Sequence, residues 1–371
     1  MKELAVVIPA YKADKTIKKT LASISTQTIS DKIEVIISCD DPQDDYTSFI
    51  KQFPELAIRQ LKCKKNGGAG QARQRGLEAV DSLWVTFIDA DDVFASPFAL
   101  ESLLRAVTDK AVVEVQGTFA QVGTINNQRV FIPHAEPTHP WVFGRIYNVP
   151  FLNTNKIGFS ELRAMEDGEF NWKIRMTIEG TMFQIKQIQD VVYYWLEGSE
   201  HSITRIGMKD NIPQYNYDLC QIGGTVASKQ ATDFARKLNP FNGSIPRFIT
   251  EQMIGHYFTY IECIGRRPEF AEQNLWLGKY FYNECYKQIE KSISDDIIKN
   301  MYTQMNSFKA KDLVGIIPEL SFFEWFDKIK NTEYRGVEEL KEIRAKLSKE
   351  IIDNDLKTGV IDEDCSIFIG K

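Results

Sequence analysis

Cysteine is sparse in this chain and badly placed for chemistry. The six cysteines, at 39, 63, 220, 263, 285 and 365, are scattered along 371 residues, and no two have C-x-x-C spacing. A disulfide framework or a zinc site is therefore disfavoured, and reduced thiols in a cytoplasmic protein are expected. Long apolar runs are also missing. The opening MKELAVVIPAYK holds about six apolar residues before Pro9 and charge interrupt them, too few for a signal core or a membrane span. No basic half or tail exists: residues 1–200 carry 22 Lys and Arg against 26 Asp and Glu, and residues 201–371 carry 23 against 25. A net charge of −6 spread this evenly disfavours a nonspecific grip on nucleic acid. Low-complexity tracts and internal repeats are not evident.

What the chain does have is the composition of a folded protein: 43% hydrophobic and 26% charged residues, with a length suited to two domains. Strand and helix patterns alternate over the first 200 residues. Apolar runs at Leu4–Ile8, Ile33–Ser38, Leu56–Leu61, Trp84–Ile88 and Ala111–Ala120 read as strands. Thr16–Thr28, Asp44–Gln52, Ala69–Val80 and Pro97–Val107 read as helices between them. Three further short strands are expected at Arg129–Pro133, Phe183–Ile188 and Val191–Trp195. The repeat implies an α/β domain with a mostly parallel, Rossmann-like sheet, whose ligands should lie at the carboxyl ends of the strands. From about Lys209 the pattern turns helical, as in Ser244–Gly265, Glu269–Lys291 and Val337–Ile352. The expected division is 1–207 and 208–371.

Five segments just beyond these runs could carry chemistry. FIDADD ends a buried strand in Asp89, Asp91 and Asp92. Three carboxylates so close repel one another unless a cation gathers them, and hard oxygen ligands suit Mn2+ or Mg2+. An ordinary acidic loop is the plain alternative. EVIISCDDP places Asp40 and Asp41 after another strand, where they serve a base or ribose contact or merely a turn. CKKNGGAGQARQRG sets glycines before a helix, with Arg73 one turn in. It is neither a Walker loop nor a dinucleotide fingerprint, and it offers either a phosphate cradle or a solvated basic loop. In ELRAMEDGEF, Glu166 and Asp167 are a general base with its neighbour or helix-capping groups. In EGSEHSITR, His201 and Ser202 could donate to a diphosphate or simply face solvent.

The order of these segments is more specific than any one of them. VVIPAYKADKTIKKTLASISTQT, EVIISCDD, NGGAGQARQRGLEAV, FIDADDVF, WVFGRIYNVPFL and MEDGEFNWKI together resemble the inverting, GT-A-fold glycosyltransferases of family 2, over roughly residues 1–205. The resemblance implies a nucleotide-sugar site lined by Pro9 and Tyr11, with Asp40 at the uracil edge; the family's usual preceding Asp is Cys39 here. It places Asn66 and Arg73 near the nucleotide and its phosphates. Asp89 would touch ribose or support the metal, Asp91 would ligate it, and Asp92 would either stand behind the metal's ligand or touch the sugar. Asp167 would be the catalytic base, beside Glu166, and His201 and Ser202 would contact the diphosphate.

The implied enzyme moves a sugar from a nucleotide sugar, most simply a UDP-sugar, to a hydroxyl acceptor such as a cell-surface glycan or polymer. A nucleotidyltransferase and a non-catalytic nucleotide-sugar-binding protein are the competing readings. Residues 208–371 lie outside the resemblance. Their aromatic stretches, HYFTYIEC, NLWLGKYFYNECY and LSFFEWFDKI, read first as helical core. Acceptor binding, homo-oligomerisation or peripheral contact with the inner membrane face stay open.

Overall fold

Leu4–Ala10 forms strand β1, and Leu4–Ile8 are fully buried, as a continuous apolar run requires when both faces of a sheet are covered. The structure is a computed structural model that describes residues 2–125, 128–134, 140–196, 214–309, 313, 315, 316 and 318–346. The chain divides into two units, 1–205 and 206–371.

In the first unit β1 leads through α1 (Ile17–Ser25) to β2 (Ile33–Cys39), and α2 (Thr47–Ile50) leads to β3 (Ala57–Leu61). Next come α3 (Ala69–Glu78), β4 (Trp84–Phe87), β5 (Val93–Phe94) and α4 (Ala99–Arg105). The long hairpin β6 (Val112–Ile125) and β7 (Gln128–His134) precedes β8 (Arg145–Asn148), α5 (Val149–Asn155), α6 (Glu166–Ile178) and β9 (Gln184–Leu196). The sheet runs β3-β2-β1-β4-β8-β6-β9-β5, with β7 paired to β6. Its first four strands are all parallel, the Rossmann-like part. β8 then runs antiparallel between β4 and β6, while β9 is parallel to β6.

Two expectations change in detail. The short strands at 183–188 and 191–195 are one strand, β9, whose register against β6 slips on either side of Thr118. Gly117 permits this, since a Cβ there would stand 2.6 Å from a Val192 methyl. The helix expected over 44–52 shrinks to α2 because Asp44 and Tyr46 are drawn into bonds with Lys12 and Ala13. Close packing of α3 on β1 depends on Gly76, where a Cβ would come within 2.3 Å of Val7 Cγ1.

The second unit shows six α-helices, three short 3-10 turns and no strand among its described residues: α7 (Gln214–Leu238), α8 (Ser244–Arg266), α9 (Ala271–Glu284), α10 (Asp295–Lys309), α11 (Phe322–Asn331) and α12 (Val337–Lys346). Its core is aromatic, with Tyr257, Trp276, Tyr286 and Trp325 all buried. The apolar residues of the LSFFEWFDKI stretch settle largely as core on α11: Phe322, Trp325 and Ile329 face inward, and Phe323 is the exposed ring among them. Ser321 and Glu324 close the helix start with a capping box. No helix among the described residues is long and apolar enough to cross a membrane.

Candidate active site

The first part of the candidate site is built at the ends of β1 and β2. Asp40 follows β2 directly, and its amide donates to the Ala10 carbonyl at 2.7 Å, holding the two strand ends together. Its carboxylate turns toward the glycine loop and accepts from the Gly67 amide (2.9 Å) and the Gly68 amide (2.8 Å). Burial pushes this carboxyl up, and the two amides work against that. Asn66 donates to the Asp40 carbonyl at 3.0 Å and accepts from Arg163 at 2.5 Å. Pro9 is partly buried within β1, while Tyr11, just beyond, is 46% exposed with the Lys12 ammonium 5.0 Å from its ring centre.

The loop bearing Tyr11 is held by residues that no motif announces. Asp44 accepts from the Lys12 amide at 2.8 Å and from the Tyr46 hydroxyl at 2.7 Å. The same hydroxyl accepts from the Ala13 amide at 2.9 Å. Lys12 sits at φ +48°, so this clasp also stabilises a left-handed backbone turn.

The acidic side gathers around Arg73. It lies one turn into α3 and is 5% exposed. One guanidinium nitrogen donates to Asp89 at 2.8 Å; another donates to Glu166 at 2.8 Å and Asp167 at 2.9 Å. A single planar cation thus joins carboxylates 78 residues apart in sequence. Close approach of α3 to the start of α6 depends on Gly70, whose Cβ would meet Glu166 Cγ at 2.9 Å. The resemblance places Arg73 near the phosphates, and the structure shows its guanidinium on the acidic cluster.

Asp167 is further positioned by the Val142 amide, 3.4 Å from its second oxygen. Asn171, one turn along α6, donates to the Pro140 carbonyl at 2.6 Å and accepts from Tyr147, so the segment before β8 is tied to the helix carrying Asp167. Burial raises the Asp167 carboxyl above its ordinary value and Arg73 opposes this. Glu166 is also raised, by burial first and by the Asp167 charge second. A carboxylate moved toward neutrality is a stronger base than a solvated one.

At the end of β4 the three aspartates differ. Asp92 is 2% exposed, and both its oxygens are engaged, by the Tyr193 hydroxyl at 2.6 Å and the Leu196 amide at 2.7 Å. Burial, followed by the charges of Asp91 and Asp89, raises it. Asp92 therefore locks β4 to β9. Asp89 gives one oxygen to Arg73 and remains partly exposed, as does Asp91. Among the described residues no three His, Cys, Asp or Glu form a self-sufficient metal cage. Mn2+ and Mg2+ do not need one, because they keep waters and take substrate phosphates as ligands beside one or two carboxylates. Asp89 and Asp91 fit that requirement. His201 and Ser202 lie outside the described residues.

Residues 5–165 match the family model described as glycosyl transferase family 2. The chain is 32% identical over 108 residues to the glycosyltransferase GlyA of Streptococcus pneumoniae, covering 29% of this chain and only 15% of that protein. It is 21% identical to the processive diacylglycerol beta-glycosyltransferase of Mycoplasma genitalium, over 83% of this chain and 97% of that one. Staphylococcus aureus TarS 1–349, solved with UDP-GlcNAc, aligns with a TM-score of 0.49 at 17% identity, over 83% and 92% of the two chains. The matched span runs from β1 to the residue before α6, so it holds Arg73 and Asp89 and stops just short of Glu166 and Asp167. The likeness to glycosyl transferase family 2 therefore belongs to the first unit, most of which the family model spans.

Proposed function

We propose that the chain is a metal-dependent inverting glycosyltransferase that takes a sugar from a UDP-sugar and passes it to a hydroxyl of a cell-surface glycan or polymer. The observation that carries this reading is the Arg73 bridge, which sets Asp167 within one guanidinium of Asp89. A donor-side acidic cluster and a buried carboxylate base are thereby adjacent, as a single in-line displacement requires.

The reading gives each residue a role. Tyr11 and Asp40 receive the base and ribose end of the donor, beside the Gly67 and Gly68 loop that Asp40 shapes. Asp91, with Asp89 next to it, would hold Mn2+ or Mg2+, whose charge offsets that on the leaving diphosphate. Asp167 takes the proton from the acceptor hydroxyl as that oxygen attacks the anomeric carbon, and the configuration inverts. Arg73 restrains Asp167 on one side and the Val142 amide on the other, so the free lone pairs keep a fixed direction. Asp92 keeps the β4 end in place from behind.

The test is a panel of nucleotide sugars with Mn2+ or Mg2+, read as nucleoside diphosphate release. Release of UDP with metal dependence supports the assignment. Release of pyrophosphate would make the chain a nucleotidyltransferase, and binding without any turnover would make it a donor-binding protein.

A further inference from the structure

Strand β4 ends at Phe87, and the Ile88 amide makes a last ladder bond to the Val7 carbonyl at 3.1 Å. Residues 89–92 then form one tight turn, closed by the Asp92 amide on the Asp89 carbonyl at 3.1 Å. Val93 and Phe94 rejoin the sheet beyond it as β5, paired to β9. Ala90 and Asp92 are buried in this turn, while Asp89 and Asp91 are partly exposed. A turn left to itself samples many geometries, and its buried carbonyls need partners that no ladder supplies.

One such partner is Thr20 on α1, which is fully buried. It shares its hydroxyl proton between the Ala90 carbonyl at 3.0 Å and the Asp92 carbonyl at 2.8 Å, so it grips the backbone on either side of Asp91. A threonine inside a helix can spend its hydroxyl on a carbonyl one turn back, as Thr177, Thr225 and Thr250 do in this chain. Thr20 spends it on the turn instead. Ser23, also on α1, accepts from the Phe94 amide at 3.3 Å, so the same helix holds the strand that follows. Tyr193 on β9, fully buried as well, is the second partner. Its hydroxyl accepts from the Asp89 amide at 3.3 Å and donates to the Asp92 carboxylate at 2.6 Å. Two buried hydroxyls thus hold the residues before and after Asp91 and leave its side chain toward the open side of the turn.

This arrangement matters for a cation because two carboxylates on a short turn must be ordered before they can ligate together. A ligand that orders only on binding takes that cost out of the affinity, and a preset one does not.

We propose that Thr20 and Tyr193 are the positioning residues of the cation site: they fix the turn around Asp91 so that its carboxylate, with that of Asp89, is preset for Mn2+ or Mg2+. Neither hydroxyl touches the cation; each acts through the backbone or through Asp92. The proposal rests on the metal-dependent reading and adds to it the residues that set the affinity for the metal.

Calorimetric titrations of the full chain test it, with UDP in the presence and absence of Mn2+ and with Mn2+ at saturating UDP. The wild type should bind UDP more tightly when Mn2+ is present. T20V and Y193F should each bind Mn2+ roughly tenfold more weakly, about the worth of one hydrogen bond, with metal-free UDP affinity kept at the wild-type value. T20S, which returns the hydroxyl, should recover the wild-type Mn2+ affinity. Unchanged Mn2+ affinity in T20V and Y193F, or a T20S as weak as T20V, would overturn the proposal. Equal losses of Mn2+ and metal-free UDP affinity in both variants would make the two residues supports of the fold and overturn it as well. Should T20V alone fail to fold, the comparison of Y193F with the wild type decides. Wild-type UDP binding that Mn2+ leaves unchanged would remove the metal-dependent reading and this proposal with it, whereas Mn2+-dependent binding that the variants leave untouched removes the proposal alone.

Discussion

The two units handle charge in opposite ways. In the first, Asp89, Glu166 and Asp167 converge on one buried guanidinium, with Asp91 and Asp92 close behind. In the second, charges are arranged largely as separate pairs, such as Lys229–Asp233, Arg247–Glu251 and Arg266–Glu262, around a core of rings. Burying these carboxyls, with like charges beside them as the lesser cause, raises their pKa values and costs stability. Packing alone gives no reason to keep such a cluster, whereas a metal, a diphosphate and an acceptor proton do. The second unit needs no such explanation: its pairs each neutralise locally and its rings fill space.

Substitutions in each unit should break this contrast in different ways. The largest effect is expected from Asp167→Asn, which should slow sugar transfer by about 10²–10⁴-fold while leaving UDP affinity in place, measured by nucleoside diphosphate release and calorimetry. Transfer at the wild-type rate would remove Asp167 from its role. Asp91→Ala should abolish the part of UDP affinity that depends on Mn2+, and an unchanged titration with metal would place the cation elsewhere. Arg73→Met strands three carboxylates without their shared partner, so urea unfolding should show a loss of about 3–5 kcal/mol. Arg73→Lys should recover only part of it, because a point charge cannot fork to all three.

In the second unit the expected effects are smaller and purely structural. Gly278→Ala pushes a methyl to 2.8 Å from the Trp325 ring and should cost about 1–3 kcal/mol in thermal or urea unfolding, with transfer kinetics unchanged at a temperature where the variant is folded. His256 rests 4.9 Å from the Phe281 ring, and burial lowers it to about 4 from an ordinary 6.5. A histidine kept neutral by the fold loses stability for it as pH falls from 6.5 toward 4, since the unfolded chain takes up the proton first. The wild type should lose about 1–2 kcal/mol more than His256→Asn between about pH 7 and pH 5. An identical pH dependence in both proteins would show that His256 ionises freely.

Much of the site is legible in the sequence. Asp40, the glycine loop, FIDADD and the Glu166–Asp167 pair each follow a strand or open a helix, where backbone geometry aims side chains outward, so their order alone carries the resemblance. Arg73 shows the limit. Its place one turn into α3 is visible, but its choice of three carboxylates depends on Gly70 letting α6 come close. Asp44 and Tyr46 have no visible role in the sequence, because they act through a return of the chain onto Lys12 and Ala13 that leaves no periodic trace. The buried Arg145–Glu114 pair on β8 and β6 is of the same kind.

Composition, hydrophobic period and motif order are sufficient for an α/β unit followed by a helical one, and for which strand ends carry acid. These are local properties, set by which side chains water expels and where strands must stop. The tertiary structure alone decided that the acids after β4 and on α6 share one cation, that β8 enters antiparallel, and that Trp141 and Trp195 meet. Arg73 and Asp167 lie 94 positions apart, and no period or spacing records such a pairing, because it exists only once the sheet has closed the distance.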